Sequence, residues 1–165
     1  MHERREHALH DAALPQSVLR NLGQKEYEKR KQAALDVESM VREWRESRDV
    51  EKVELLIAQI VSDLAESPQP NSRKGALHAL AGTAIGLRQH GVSQNLSSLL
   101  QPVLASFADQ DSRVRYYGCE ALYNIAKVAR AACVMHFNAI FDGLFKLSAD
   151  TDQQVQNGMQ LLDRL

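Results

Sequence analysis

The chain has 165 residues, of which 44% are apolar and 25% are charged, which is enough for one hydrophobic core. Its 20 Lys plus Arg and 21 Asp plus Glu give a formal charge of −1, which excludes a global electrostatic attraction to nucleic acid. Aromatic residues make up only 5%, and the apolar residues are largely Ala, Leu and Val, so the composition favours an all-α protein.

Residues 1–14 are charged and contain three histidines, and we expect them to form a flexible N-terminal segment. His2 and His7 lie five residues apart, whereas two zinc ligands on one helix face need a spacing of four, so this segment predicts no metal site. The chain shows no signal-peptide core and no run approaching the roughly 18 apolar residues of a membrane span. We therefore expect a soluble, cytoplasmic protein.

The first helical hairpin is predicted over about 15–48. A short apolar pattern from Pro15 is closed by Gly23, and a long helix follows over 25–48. The basic run EKRK within that helix is interpreted as a solvated face. Together with Arg73 and Lys74, this run is the basis of the alternative that the chain binds nucleic acid.

The second hairpin is predicted over about 49–90. Asp49 is placed to cap its first helix, and the segment SPQPNS interrupts the apolar pattern before a second helix that Gly91 should end. Small residues in this second helix allow a close approach to its neighbours: Gly75, Ala76, Ala79, Gly82 and Gly86.

The third and fourth hairpins are predicted over about 92–131 and 133–165. The first of these carries Pro102 inside a helix, where we expect a kink, and a helix that begins near Ser112. The fourth should hold a helix from Cys133 and, after a capping box that starts at Thr151, a last helix.

The four second helices share one register. Arg30, Arg73 and Arg115 align with steps of 43 and 42 residues, and Val114 and Val155 continue with a step of 41. A repeated helix pair of this period predicts an α-solenoid of about four HEAT or armadillo-type hairpins in a right-handed superhelix. Stacking of the repeats is assigned to one set of residues: Arg30, Arg73, Asp109, Arg115 and Gly118. Gln156 stands where the fourth arginine is expected, so we expect the Asp–Arg ladder to fail there.

The helix over 112–130 has a second face that the repeat pattern does not explain. Its members step by three or four residues: Arg113, Tyr116, Glu120, Tyr123, Lys127 and Arg130. Aromatic and arginine side chains dominate interface energetics, so this stripe is the candidate partner-binding site. The alternative is that the tyrosines pack against the adjacent repeat.

Nothing in the sequence indicates catalysis. No nucleophile with a base, phosphate loop or ligand cluster occurs, and Cys119 and Cys133 are interpreted as buried reduced thiols. We therefore expect a protein that is not an enzyme and that uses no cofactor and no metal.

Several segments resemble the N-terminal HEAT region of the Vac-fourteen scaffold family over most of residues 15–165. They are KEYEKRKQAALDVE, NSRKGAL, PVLASFADQDSRVRYYGCEALYNIAKVAR, HFNAIFDGLFKLSAD and LLDRL. The block VRYYxCEALYNIxKVAR is the most specific, since it exceeds what a generic HEAT repeat requires.

The resemblance implies a non-catalytic scaffold that binds the phosphatidylinositol 3-phosphate 5-kinase (PIKfyve, or Fab-type kinase). It further implies phosphatidylinositol 3,5-bisphosphate synthesis and turnover at endosomal, lysosomal or vacuolar membranes, which the chain reaches only through partners. A Sac-domain phosphatase and self-association would use regions absent here, because the family's chains are several times longer and this one is expected to continue. A generic HEAT adaptor in trafficking or transport is the alternative.

Overall fold

The structure, a computed structural model, describes residues 13–162. These residues form seven α-helices and no β-strand: α1 (Gln16–Leu22), α2 (Tyr27–Ser47), α3 (Val50–Ile60), α4 (Pro70–Ala105), α5 (Ser112–Ala129), α6 (Phe137–Ser148) and α7 (Gln153–Leu162). A π-helical turn, Val61–Ala65, extends α3, and 3-10 turns follow α4 and α5. The predicted all-α class is confirmed.

Helix α4 is two helices joined at a break. Arg88 has φ 58° and ψ −179°, so the helix divides into α4a (70–87) and α4b (89–105). Leu87 and Val92 on either side are both buried, so the chain turns between two anchored residues. The prediction that Gly91 ends the first helix was wrong, because the helix ends at Arg88 and the backbone is helical at Gly91. Pro102 lies inside α4b with helical backbone angles, and the kink expected there stays a prediction.

The break produces four hairpins: α1 with α2, α3 with α4a, α4b with α5, and α6 with α7. The second helices of the hairpins stack on one another in the order α2, α4a, α5, α7. Fully buried side chains from each second helix form one continuous core, for example Val37, Leu80, Leu122 and Val155. The architecture is therefore a stack of HEAT-like hairpins.

Helix starts follow the polar residues that precede them. Asp49 accepts a hydrogen bond from the Lys52 amide, and Asp111 accepts bonds from two amides of the first turn of α5, as predicted. At α7 the cap is Asp152, which accepts from two amides of that helix, and not Thr151. Helix α6 begins at Phe137 and not Cys133, because residues 130–136 form a 3-10 turn.

The folded part extends further towards the N-terminus than predicted. Leu14 is 2% exposed, and its amide donates to Oε1 of Gln59 at 2.9 Å. An apolar side chain in the core and a satisfied amide fix this residue, so the expected flexible segment does not reach residue 14. The histidine pair at residues 2 and 7 lies outside the described residues.

One hydrogen bond recurs in every repeat and supports the predicted register. Arg30, Arg73, Arg115 and Gln156 each donate to the carbonyl oxygen six residues earlier, at 2.8–3.0 Å. These carbonyls lie in the turn between the two helices of a hairpin. The side chain therefore closes the same turn four times, and Gln156 does so in place of an arginine.

Two arginines also bridge to the next repeat. Arg73 binds Asp109 with Nε–Oδ2 and Nη2–Oδ1 distances of 2.7 and 3.0 Å, and Arg115 binds Asp150 in the same bidentate way at 2.6 and 3.1 Å. Burial is the largest single influence on Asp109 and opposes its ionisation, but the hydrogen bonds from Arg73 and the Asp111 amide, together with the charges of Arg73 and Arg115, outweigh it and lower the pKa of the carboxyl. The ladder reaches the fourth repeat after all, since each arginine needs only the aspartate of the following turn.

Gly118, which is predicted to help stack the repeats, marks a close contact inside the third hairpin. Its part in stacking between repeats stays a prediction. A Cβ atom at this position would overlap Oγ of Ser106 and press on the Phe107 ring. Any larger residue would therefore separate α5 from the end of α4b.

Candidate protein-interaction surface

The stacked second helices bring four aromatic rings from three repeats together. Tyr27 on α2, His78 on α4a and Tyr117 on α5 form a triangle with ring centroids 4.5 to 6.3 Å apart. Tyr116 packs edge-on against Tyr117 at 5.3 Å. We call this surface, together with Tyr123, the tyrosine face. Its geometry is that of edge-to-face and offset aromatic pairs, which hold rings firmly.

Cations border the tyrosine face on each side. Lys31 lies over Tyr27 at 5.8 Å, Arg113 over Tyr116 at 6.0 Å, and Lys127 over Tyr123 at 5.7 Å. Each distance is within the range of a cation–π contact. The tyrosine rings are half-buried and pack on the core, apart from the more exposed Tyr27 and the buried Tyr117. Rigid rings with charged neighbours are suited to a protein partner.

Glu120 supplies the single carboxylate that acts on both outer rings. Burial raises the pKa of Glu120, and the charge of Lys31 partly offsets that rise. Partial burial raises the pKa of Tyr27 and of Tyr116, and the negative charge of Glu120 adds to both shifts. The face therefore combines phenol donors with one half-buried acceptor, which a partner's amides or cations can meet.

Two polar side chains beneath the face lack partners. His78 is mostly buried, and that burial, with a smaller contribution from the charge of Arg30, lowers its pKa to about 4. Its Nε2 and the Nε of Arg30 have no hydrogen-bond partner among the described residues. His78 is thus a neutral core-edge residue at pH 7.

The predicted stripe divides into two parts. Arg113, Tyr116, Glu120, Tyr123 and Lys127 lie on α5 as one row along the tyrosine face. Arg130 does not, because α5 ends at Ala129 and Arg130 takes φ 53° and ψ −126°, which carries it out of the helical row. Whether the row binds a partner stays a prediction.

Sequence reasoning missed the contribution of the first two repeats to this surface. The repeat register could have revealed this contribution. Lys31, Lys74 and Tyr116 each directly follow one of the aligned arginines, and His78 and Glu120 each lie five residues after one. Tyr27 precedes Arg30 by one helical turn. Considering the stripe on α5 alone hid these positions.

The basic patch suggested for nucleic acid is mostly engaged in packing. Arg30 is 3% exposed, Arg73 is paired with Asp109, and Nζ of Lys74 lies 3.5 Å from Asp111. Exposed, unpaired cations are what a phosphate backbone requires. These three side chains therefore do not provide such a patch.

A row of exposed phenylalanines marks a second unusual surface on α6. Phe137, Phe141 and Phe145 are 55–71% exposed, and they follow Leu96, Leu100 and Leu104 of α4b by 41 residues each. Leu96 and Leu100 are buried, and Leu104 contacts Gly143 of α6. The three phenylalanines thus occupy the positions that α4b uses to pack on the first helix of the following repeat. They have the residue type and position of a surface that packs on another repeat.

The stretch Ser112–Ser148 is long and apolar enough to cross a membrane by length and composition alone. It is not one helix, however, because the chain breaks at Arg130 and continues as a 3-10 turn. Its first part, α5, supplies core residues such as Leu122 and Ile125. Packing into the repeat stack accounts for the apolar side chains of α5 but not for the 18-residue window that is apolar enough to cross a membrane, which is only 11% buried.

No group of His, Cys, Asp or Glu within residues 13–162 is placed to hold a metal ion. Cys119 and Cys133 are not joined in a disulfide, and Cys119 is buried. Burial raises the pKa of the Cys119 thiol to about 12 and raises that of Cys133 as well. Both thiols are therefore protonated at pH 7 and poor nucleophiles.

Comparison with known proteins gives a consistent result. A family model described as the Vacuolar 14 Fab1-binding region matches residues 71–165. The chain is 51% identical over 154 residues to "Protein VAC14 homolog" of Arabidopsis thaliana and 43% identical over 153 residues to "Vacuole morphology and inheritance protein 14" of Saccharomyces cerevisiae. It is 44% identical over 150 residues to "Protein VAC14 homolog" of Schizosaccharomyces pombe.

These alignments cover 90–93% of this chain but only 17–21% of the relatives. The chain thus spans about a fifth of the length of the proteins it matches. No solved structure matches it.

Proposed function

This chain belongs to the Vac14 family, and we propose that it is a non-catalytic scaffold segment whose repeats bind the Fab1-type phosphatidylinositol 3-phosphate 5-kinase. Binding would support phosphatidylinositol 3,5-bisphosphate synthesis and turnover on endosomal, lysosomal or vacuolar membranes. The observation that carries the proposal is the overlap between the matched Fab1-binding region, 71–165, and the part of the tyrosine face on α4a and α5.

The tyrosine face suits this role for physical reasons. Its rings are fixed by one another and by the repeat stack, so a partner would order few side chains on binding. Lys31, Arg113 and Lys127 surround the rings, and charged groups at the rim of an interface set association rate and orientation. Tyr116 and Tyr123 are the expected anchors.

Two further interactions are proposed for parts of the longer protein that this chain does not include. A Sac-domain phosphatase and self-association are proposed to use regions outside these 165 residues, and membrane contact is proposed to be peripheral and through partners.

The test is capture of the kinase by the purified chain. Replacing Tyr116, Tyr123 and Lys127 together by Ala should lower capture by about tenfold or more, since anchor residues carry most of an interface's energy. Helicity should be nearly unchanged, but the unfolding midpoint should fall because the two half-buried rings pack on the core. Capture is therefore compared at a temperature at which both chains are fully folded.

A matched variant replaces Phe137, Phe145 and Lys146 by Ala on α6, which removes two aromatic residues and one cation from the same matched region. It should capture the kinase as well as the unchanged chain does. Loss of capture only in the α6 variant would contradict the assignment to the tyrosine face. Failure of the unchanged chain to capture the kinase would contradict the function itself.

A further inference from the structure

Three second helices end at an arginine whose φ angle is positive. Arg48 has φ 58° and ψ 33°, the ordinary left-handed conformation at a helix end. Arg88, with φ 58° and ψ −179°, and Arg130, with φ 53° and ψ −126°, lie outside that region. Backbone angles of this kind belong almost entirely to glycine, and side chains held in them concentrate at functional sites.

Arg88 and Arg130 line the same pocket. It is an open cavity of about 430 Å³ between the ends of α4a and α5, and Lys127 is its third cation. The remaining lining residues are neutral: Ile85, Gln89, Asn124 and Val128. The pocket therefore has three positive charges in its walls and no carboxylate.

The three cations are exposed and have no ion pair within residues 13–162. Other arginines of the stack differ in this respect, since Arg42, Arg73 and Arg115 are paired with carboxylates. Lys127 lies over the Tyr123 ring, which positions its ammonium group at the edge of the pocket.

Stabilisation of helix ends does not account for this arrangement. A cation near a helix C-terminus interacts favourably with the helix dipole, but it does so from the last turn in an ordinary conformation, as Lys127 does. That interaction gives no reason to retain Arg where the backbone favours Gly. The helix dipole therefore does not explain why an arginine stands at either position.

We propose that Arg88, Lys127 and Arg130 form a binding site for a compact organic anion that carries phosphate groups. Guanidinium groups bind phosphate oxygens in a bidentate manner, and a lysine adds a point charge. The cavity is larger than one phosphate ion and has room for a ring that bears several, such as an inositol phosphate. The site shares Lys127 with the border of the tyrosine face. Neither arginine is part of that face, so substitution of the two arginines tests the anion site separately from the proposed kinase binding.

The test measures binding of inositol hexakisphosphate to the chain by calorimetry at low ionic strength. The double variant Arg88→Gln with Arg130→Gln should lose about tenfold or more in affinity, because it removes both bidentate donors. A double variant of two exposed cations elsewhere, Lys25→Gln with Lys29→Gln, has the same net charge and should lose about threefold or less. Equal losses in the two variants, or no binding by the unchanged chain, would overturn the proposal.

A single variant separates binding from folding. Arg88→Gly removes the side chain and relieves the backbone, so it should raise the unfolding midpoint while it weakens anion binding. A folding defect cannot produce these opposite changes. Arg88→Lys should keep part of the affinity. An Arg88→Gly variant that binds the anion as well as the unchanged chain would contradict the site.

Vesicles identify the source of the phosphate groups. Phosphatidylcholine vesicles that contain a phosphatidylinositol bisphosphate are compared with vesicles that contain phosphatidylserine at equal surface charge. Preference for the phosphoinositide, lost in the Arg88→Gln and Arg130→Gln variant, identifies a lipid headgroup and would add a direct membrane contact to the one proposed through partners. Binding of inositol hexakisphosphate without vesicle binding identifies a soluble ligand, and either result supports the site.

Discussion

The first junction between repeats and the later ones are held by different means. Between the first two repeats, α4a packs directly on the backbone of α2. Gly82 and Gly86 lie against the carbonyl groups of Ala34 and Glu38. The later junctions are bridged by the Arg73–Asp109 and Arg115–Asp150 ion pairs.

The difference arises at one position of the repeat. Ser67, Asp109 and Asp150 each accept a hydrogen bond from the amide two residues later, so they are equivalent turn residues. Ser67 has no carboxylate, and Arg30 is left with an unpaired Nε and the Tyr117 ring 5.9 Å from its Cζ. The same arginine register is thus compatible with two kinds of junction, one set by backbone contact and one by charge.

A larger residue at a glycine of the first junction should have the largest effect on stability. Gly75 of α4a lies against Leu22 of α1 at this junction. In Gly75→Ala the new Cβ would overlap the carbonyl of Leu22, and backbone cannot move aside as a side chain can. We expect a loss of about 3 kcal/mol in the free energy of unfolding, measured with urea.

Gly158→Ala is the matched change at the last junction. Its Cβ would meet only side-chain atoms of Cys119 and Tyr116, at 3.1 to 3.4 Å. The gain in helix propensity, about 1 kcal/mol, is common to both variants. The difference between them therefore isolates the junction, and equal destabilisation would show that the first junction is not set by backbone contact.

Removing the arginines should distinguish the junctions by a smaller amount. Arg73→Met leaves Asp109 partly buried without its bidentate partner, and we expect a cost of about 2 kcal/mol. Arg30→Met loses its turn hydrogen bonds and the contact with Tyr117 but also removes an unpaired buried Nε, so it should cost about 1 kcal/mol less.

Arg42→Met, which disrupts an exposed pair with Glu38, is the control and should change stability by roughly 0.5 kcal/mol or less. The measurement is again urea unfolding. A loss in Arg30→Met as large as that in Arg73→Met would mean that the turn bonds, and not the ion pair, supply the energy.

The sequence was informative where the repeat signal is local. Helix periodicity and a 41–43-residue step located the four hairpins, because buried side chains recur on one face of each helix. The break at Arg88 was not predictable, since glycine at position 91 was the stronger local stop signal, and the outcome depended on the burial of Leu87 and Val92. The Asp152 cap was missed because Thr151, the residue before it, is also a favourable cap by residue type.

The candidate site was half predictable for the same reason. The row from Arg113 to Lys127 lies on one helix and follows its period. The rings of Tyr27 and His78 reach Tyr117 only when three repeats are stacked, and the separation in sequence of Tyr27 and Tyr117 conceals that contact. The pocket between Arg88 and Arg130 depends on the positive φ angles of these two residues, which their residue type does not predict.

The smallest expected effect would convert the first junction into a later one. Ser67→Asp should place a carboxylate opposite Nε and Nη2 of Arg30, as Asp109 is placed opposite Arg73, while keeping the turn hydrogen bond to the Gln69 amide. Pairing the free Nε should stabilise the chain by about 1 kcal/mol, measured as a higher urea midpoint at pH 7.

Ser67→Asn keeps the turn bond without the charge and should change stability little. The gain should also disappear when Arg30→Met is added, since the new carboxylate then has no partner. A Ser67→Asp variant no more stable than Ser67→Asn would mean that Tyr117 already occupies the space above Arg30, and that the first junction is closed to an ion pair.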